Sequence, residues 1–215
     1  MSTERIIDTP HGEGRLVTDR ARTTMATVLL SHGAGGGIES RDLEALAYHL
    51  PRNGITVVRF EQPWRRAGRK VATPPATLDA GLRAAADALR GRTPLVIGGR
   101  SAGARSAARS AHLLGAAGCL ALSFPLHPPG RPEKSRLDEL TGSRLPTLVI
   151  QGEKDTMGLP EEFPANTDLC VVPGADHGLK VSARGPVSQQ EAMDIVVEAT
   201  LEWVVREVTG NATSR

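Results

Sequence analysis

An apolar run that ends in a Gly-x-Ser-x-Gly pentad, followed at once by an alanine-rich segment, is the feature that most constrains the fold. The run covers residues 94–98, the pentad extends from Gly99 to Gly103, and helix-prone sequence begins at Ala102. Because glycine on both sides of the turn lets a strand and a helix cross closely, this order predicts a strand, a sharp turn and a helix. Ser101 would then lie in a strained conformation at the tip of the strand, with its hydroxyl exposed above the sheet.

Apolar, strand-like segments alternate with amphipathic, helix-like segments along most of the chain. Strands are expected over 26–31, 55–60, 95–98, 118–124, 147–151 and 168–172, after an opening hairpin formed by 6–7 and 15–18. Helices are expected from the cap candidate Ser40, from the cap candidate Thr77 to near Gly91, and over 102–114, 137–140 and 188–208, whereas 61–76 is expected to be irregular. This alternation predicts an α/β fold with a doubly wound, mostly parallel sheet and helices on both faces. Such sheets bind ligands at the carboxyl ends of their strands.

The length of the chain favours one large domain over two small ones, and its charge is nearly balanced. With 215 residues, we expect one domain over 1–210 and a frayed polar tail over 211–215. A formal net charge of +2 indicates neither a nucleic acid partner nor a membrane surface. No segment approaches the roughly 18 apolar residues of a membrane span, and the N-terminus lacks the apolar part of a signal peptide. We therefore expect a cytoplasmic protein; the sequence is silent on oligomeric state.

The sequence argues against three other kinds of site: reactive or bridged cysteines, a dinucleotide-binding loop and a metal centre. Cys119 and Cys170 each lie within an apolar run, which predicts reduced core residues rather than a disulfide or a cysteine nucleophile. The glycines at 33–37 place Ile38 where a dinucleotide-binding fingerprint needs its third glycine. Metal-ligand spacing is absent as well, so we expect no metal and no cofactor.

A serine hydroxyl is a poor nucleophile at neutral pH, so Ser101 needs a base and a group that orients the base. His177 follows the last predicted strand and Asp155 follows the strand before it, which brings both toward the same edge of the sheet. The chain order serine, aspartate, histidine is one that serine hydrolases with an α/β sheet use. Glu153 and Asp176 compete with Asp155 for the orienting role.

Catalysis through a tetrahedral intermediate also needs hydrogen-bond donors for the oxyanion. The N–H of Ala102, at the start of the predicted helix, is one candidate. The second is expected from the glycine-rich loop after the strand at 26–31, with Ala34 as first choice and Gly35 next. His32, at the start of this loop, is expected to brace it rather than to abstract a proton.

Several polar residues near the same edge are candidates for substrate contact. Arg65 and Arg66 follow the strand at 55–60 and could clamp a carboxylate or phosphate, although a solvated loop is the plainer interpretation. His127 lies in a loop close enough to line the pocket. Arg100, beside the nucleophile, either contacts substrate or forms a salt bridge with a glutamate. The glutamates considered for that bridge are Glu61 and Glu153.

These segments together resemble the α/β-hydrolases, and more narrowly a compact dienelactone-hydrolase-like branch that includes testis-expressed hydrolase-like proteins and a subunit of a histone-acetyltransferase complex. The segments that carry the resemblance are residues 31–36, 99–103, 124–130, 151–155 and 174–180. The resemblance implies Ser101 as nucleophile, Asp155 as acid and His177 as base. The branch often has methionine where this chain has Ala102. Dienelactone hydrolases proper use a cysteine nucleophile, so their substrate is not carried over to a chain with serine.

The predicted function follows from these residues and from the space around them. Residues 125–146 are too few for the helical lid that many α/β-hydrolases insert at this point, which predicts an open, shallow site suited to small acyl substrates. We predict a serine hydrolase that cleaves an ester or thioester through an acyl-enzyme. The alternative is a non-catalytic interaction module that keeps the fold with an idle site.

Overall fold

One eight-stranded sheet runs through the part of the chain that the computed structural model describes, which is residues 2–89, 91 and 93–210. The strands are β1 (Thr3–Thr9), β2 (Gly12–Asp19), β3 (Ala26–Ser31), β4 (Ile55–Glu61), β5 (Leu95–Arg100), β6 (Gly118–Leu122), β7 (Thr147–Gly152) and β8 (Asp168–Val172). Their order in the sheet is β1-β2-β4-β3-β5-β6-β7-β8. β1 and β2 are antiparallel to their neighbours, and all other pairs are parallel. The predicted fold class is confirmed.

Six α-helices cover the sheet in the described part of the chain. They are α1 (Arg41–His49), α2 (Pro63–Arg66), α3 (Pro75–Asp87), α4 (Ala102–Ser110), α5 (Leu137–Thr141) and α6 (Gln189–Trp203). Single 3₁₀ turns form at Leu50–Asn53 and Pro160–Glu162, and α6 continues as a π-helical stretch over Val204–Thr209. None of the helices in the described residues is both long and apolar enough to cross a membrane.

The two faces of the sheet bury separate hydrophobic cores because strand side chains alternate between the faces. Val28 and Leu30 of β3 lie in one core, together with α1 and α6, where Trp203 is the largest fully buried side chain. Leu29, between them in sequence, lies in the other core, together with α3 and α4. This burial on both faces explains why the central strands are apolar almost without interruption.

The strand register brings four loops together at one edge of the sheet. Ser31 of β3 pairs with Gly99 of β5, so the glycine-rich loop leaves the sheet beside the pentad. Gly152 of β7 pairs with Val172 of β8, so the loops that follow these two strands are also neighbours. Since β6 alone separates β5 from β7, all four loops surround the carboxyl end of β5.

Three local details differ from the sequence expectations. The stretch after β4 is not wholly irregular, because it contains α2, which has Pro63 in its first turn. Helix α3 begins at Pro75 rather than after Thr77; proline is favoured there because the first helical N–H needs no partner. The opening hairpin is confirmed, with a turn shorter than expected, since Thr9 already pairs with Gly12.

The two cysteines are free thiols. Cys119 is fully buried in β6, and Cys170 in β8 is half-buried. Burial raises the pKa of the Cys119 thiol to about 12, and it also raises the pKa of Cys170. Because the thiolate is the reactive form, both side chains behave as small apolar residues, as expected.

Candidate active site

Ser101 occupies the sharp turn between β5 and α4. Its backbone has φ 53° and ψ −111°, a left-handed conformation that costs free energy in a residue with a side chain. The Ser101 N–H donates to the carbonyl oxygen of Leu122, 2.9 Å away, at the end of β6. The turn therefore projects the Ser101 hydroxyl beyond the carboxyl end of the sheet.

The glycines of the pentad are required by the close approach of β3. A Cβ atom on Gly99 or on Gly103 would overlap the carbonyl oxygen of Ser31. Since that oxygen is backbone, it cannot move aside as a flexible side chain could. The spacing of the two glycines thus has a steric cause in the structure.

Ser101, His177 and Asp155 form one continuous hydrogen-bonded chain. His177 Nε2 lies 2.9 Å from Ser101 Oγ, and His177 Nδ1 lies 2.8 Å from Asp155 Oδ2. A carboxylate accepts hydrogen bonds, so Nδ1 carries the proton and Nε2 is left to accept from the serine hydroxyl. The His177 side chain is 27% exposed, whereas that of Asp155 is fully buried.

The surroundings of Asp155 distinguish it from its two rivals. Besides His177, its carboxylate accepts from Gln151 Nε2 at 2.8 Å and from the Met157 N–H at 2.9 Å. Glu153 instead accepts from the Gly174 N–H at 2.6 Å. Asp176 accepts from two backbone amides of its own loop, at 2.7 and 2.9 Å. Of the three acids, the structure brings only Asp155 against the imidazole.

The glycine-rich loop passes directly beside Ser101. A Cβ on Gly33 would lie 3.3 Å from the Ser101 Cβ, and the next residue, Ala34, is exposed. Ala102 is the first residue of α4, where an N–H has no partner within the helix. Neither the Ala34 N–H nor the Ala102 N–H donates a hydrogen bond to another described residue. A Cβ on Gly35 would meet open space.

His32 braces this loop, as expected. Its Nε2 accepts from the Gln62 N–H at 3.1 Å, so Nδ1 is the protonated nitrogen and donates to the Gly33 carbonyl at 2.8 Å. Burial lowers the pKa of His32, which favours this neutral form. Because the Gly33 carbonyl and the Ala34 N–H belong to one peptide plane, fixing the first also orients the second.

Three residues that were candidates for substrate contact already have protein partners. Arg66 forms an ion pair with Glu13 at 3.0 Å. The ring nitrogens of His127 lie 3.0 Å from the Pro128 carbonyl and 3.2 Å from the Glu162 carboxylate. For Arg66 and His127, this use of the side chain argues against the candidate role in substrate contact, and for Arg66 it agrees with the plainer interpretation.

Arg100 is the third of these residues. Its ion-pair partner is neither of the two glutamates that the sequence suggested. Its Nε lies 3.3 Å from Asp42 Oδ2. Glu61 is instead paired with Arg15 at 2.9 Å. An acid so distant in the sequence gives no local signal, which is why Asp42 was missed.

Gln151 was missed too, although a polar residue that ends a buried strand at the ligand-binding edge is a recognisable signal.

Arg65 and Gly35 remain accessible. Arg65 is exposed, and no ion pair joins it to another described residue. It lies at a depression of about 540 Å³ that also touches Gly36 and Gly178, next to the glycine-rich loop and to His177. No group of three or more His, Cys, Asp or Glu side chains within 2–89, 91 and 93–210 is arranged to hold a metal ion.

Known proteins of the same shape cover nearly the whole chain. A lidless α/β serine hydrolase from Xanthomonas campestris is 23% identical, with a TM-score of 0.73 over 96% of this chain and 95% of that one. Est1E from Butyrivibrio proteoclasticus is 16% identical, with a TM-score of 0.71 over 94% and 99%. A dienelactone hydrolase from Anabaena variabilis is 19% identical, with a TM-score of 0.71 over 97% and 98%. At these identities the likeness shows the fold.

Family membership rests on the sequence itself. Residues 24–205, which are most of the chain, match the family model described as an alpha/beta hydrolase domain. The matched span includes the pentad and the loops that carry Asp155 and His177. The sheet order, the turn at Ser101 and the short described connection between β6 and β7 agree with that match. The chain belongs to the α/β-hydrolase family.

Proposed function

We propose that the protein is a serine hydrolase that cleaves a carboxylic ester, or a related acyl bond, of a small substrate. The observation that carries the proposal is the hydrogen-bonded chain from Ser101 Oγ through His177 to the buried Asp155. A nucleophile, a base and an orienting acid in this arrangement are the parts that acyl transfer needs. Their positions at the carboxyl ends of β5, β8 and β7 agree with the place where such sheets bind ligands.

In the proposed mechanism, Ser101 Oγ attacks the acyl carbon while its proton moves to His177 Nε2. The carbonyl oxygen becomes an oxyanion, which the free N–H groups of Ala34 and Ala102 stabilise. When the intermediate collapses, His177 gives the proton to the departing alcohol or thiol, and the acyl group stays on Ser101. Water then attacks the acyl-enzyme while His177 takes a proton from it, and His177 returns this proton to Ser101 Oγ as the acid is released.

The shape of the site supports a small substrate. Between β6 and β7 the chain forms only the short helix α5, so no lid covers Ser101. The exposure of Ala34 and the open space at Gly35 leave room on one side of the serine. Arg65 lines the depression that Gly36 and Gly178 also touch, and it is the candidate to contact a polar or anionic part of the substrate.

The test is hydrolysis of p-nitrophenyl acetate by the wild type and by single variants. We expect Ser101→Ala and His177→Ala to lower kcat by about 10³-fold or more. Asp155→Asn, which cannot hold the imidazole in the required tautomer, should cost about 10³–10⁴-fold. Glu153→Gln is the matched control, because glutamine still accepts from Gly174, and it should retain kcat. Wild-type turnover that survives Ser101→Ala would contradict the proposal.

A further inference from the structure

Arg100 directly precedes Ser101 in the sequence. Its side chain extends to residues 174–180, the loop that carries His177, hereafter the histidine loop. Its Nη2 donates to the backbone carbonyl oxygen of His177, 3.0 Å away. The guanidinium passes between Gly36 and Gly178, where added Cβ atoms would make ordinary van der Waals contact with Nη1 at 3.9 Å and with Nη2 at 3.5 Å. The side chain is 15% exposed and is held mainly by protein groups.

The Arg100 guanidinium also lies against a buried carboxylate. Asp42, in the first turn of α1, is fully buried, and its Oδ2 lies 3.3 Å from Arg100 Nε. The contact is an ion pair without hydrogen-bond geometry, and neither Asp42 oxygen accepts a hydrogen bond from another described residue. Arg100 is therefore the ion-pair partner of a carboxylate that would otherwise be buried without one, which is costly.

This ion pair joins three segments that converge on the candidate active site. Arg100 ends β5 immediately before Ser101, its guanidinium holds the His177 backbone, and Asp42 lies in the helix that follows the glycine-rich loop. We propose that Arg100, anchored by Asp42, is a positioning residue that fixes the His177 backbone so that Nε2 stays within reach of Ser101 Oγ.

The geometry assigns Arg100 a positioning role in addition to its role as the partner of Asp42. Loss of Arg100 leaves the Asp42 carboxylate buried and unpaired, which lowers stability but does not by itself slow the reaction of molecules that remain folded. A displacement of about 1 Å between reacting groups, in contrast, can lower a rate by about 10²-fold. Within the described residues, the one hydrogen bond that the Arg100 side chain forms is to the carbonyl of the histidine that bonds to Ser101. Loss of Arg100 should thus act on the rate rather than on substrate affinity.

The kinetic test compares Arg100→Gln and Arg100→Lys with a control, Arg109→Gln. Arg109 forms partly buried ion pairs with Asp79 at 2.7 Å and Glu139 at 2.8 Å, on helices that do not carry the histidine loop. This inference rests on the proposed function, so kcat and KM are measured with p-nitrophenyl acetate. We expect Arg100→Gln to lower kcat by about 10–100-fold with KM within about twofold. Arg100→Lys keeps the positive charge but loses the planar guanidinium with its several donors. Its kcat should therefore lie between those of the wild type and Arg100→Gln.

One further measurement and two fallback variants keep the outcome decisive. Hydrogen exchange followed by mass spectrometry should show residues 174–180 exchanging about tenfold faster in Arg100→Gln than in the wild type, and unchanged in Arg109→Gln. This readout needs no turnover, so it separates failure of the inference from failure of the proposed hydrolase. If Arg100→Gln does not fold, Arg100→Lys and Asp42→Asn carry the test, with faster exchange and lower kcat expected. Unchanged exchange in folded Arg100 variants, or equal losses of kcat in Arg109→Gln, would overturn the inference.

Discussion

Ser101 and His32 are the two residues whose local conformations most affect the proposed chemistry. Ser101 has a positive φ that few side chains adopt, and the surrounding strand and helix hold it there. His32 lies buried beneath the glycine-rich loop and orients the peptide that ends in the Ala34 N–H. One residue presents the hydroxyl, and the other sets the direction of a donor for the oxyanion.

His32 also predicts a dependence of stability on pH. Because burial lowers its pKa in the folded state, the unfolded chain takes up a proton near pH 6.5 while the folded protein does not. The stabilising effect is complete above that pH and is lost as the pH falls, by up to about 1.4 kcal/mol per pH unit. We expect His32→Gln to make the decline in melting temperature between pH 7 and pH 5 shallower. Identical slopes in the two proteins would contradict this account of His32.

Gly103 carries a prediction at the level of the elements, because it sets how closely α4 approaches β3. A Cβ there would overlap the Ser31 carbonyl, so Gly103→Ala must displace the helix or the strand. We expect a loss of stability of about 1–3 kcal/mol and a fall in kcat. Gly35→Ala is the matched substitution, since its Cβ would meet open space, and it should melt near the wild-type temperature. Equal melting temperatures for the two variants would contradict the steric argument.

The sequence predicted those elements whose signal is local. The apolar run before the pentad predicted β5, and the alternation of apolar segments placed β3, β4, β7 and β8 correctly to within a residue or so. The start of α3 was misplaced because Thr77 suits a cap, whereas Pro75 takes the first helical position. Helix α2 was missed because its four residues are too few to show a period.

Site residues that directly follow a strand were predictable from the sequence, whereas contacts that depend on how a helix packs were not. Asp155 and His177 follow strands directly, so the sequence order alone points to their meeting at one edge. The pairing of Arg100 with Asp42 depends on how α1 packs, and nothing in the local sequence distinguishes Asp42 from a solvated acid in a first helical turn. Long-range contacts of this kind become visible only in the fold.

On the scale of the whole molecule, one sheet joins the first described strand to the last. β1 and β8 are its two edges, and α6 closes the core on one face. We propose that residues 1–210 form a single domain, for which melting should be one transition seen equally by far-ultraviolet and near-ultraviolet circular dichroism. Two separated transitions would contradict this. The expected frayed tail, 211–215, lies outside the described residues.

The lidless architecture predicts a preference for short acyl chains. Long chains need a deep apolar tunnel to bury them, and the short connection between β6 and β7 builds none above Ser101. With p-nitrophenyl esters of increasing length, we expect kcat/KM to be highest for acetate and butyrate and to fall by about tenfold or more for long chains. A maximum at palmitate would contradict the open-site account.

The central claim is that Ser101 is an activated nucleophile, and covalent labelling tests it most directly. The purified protein is treated with a fluorophosphonate, which reacts with activated serines, and the modified peptide is identified by mass spectrometry. We expect one adduct on Ser101, absent in Ser101→Ala and strongly reduced in His177→Ala, because the base that activates the hydroxyl lies 2.9 Å from it. A folded wild-type protein that remains unlabelled, or a label on another residue, would contradict the account.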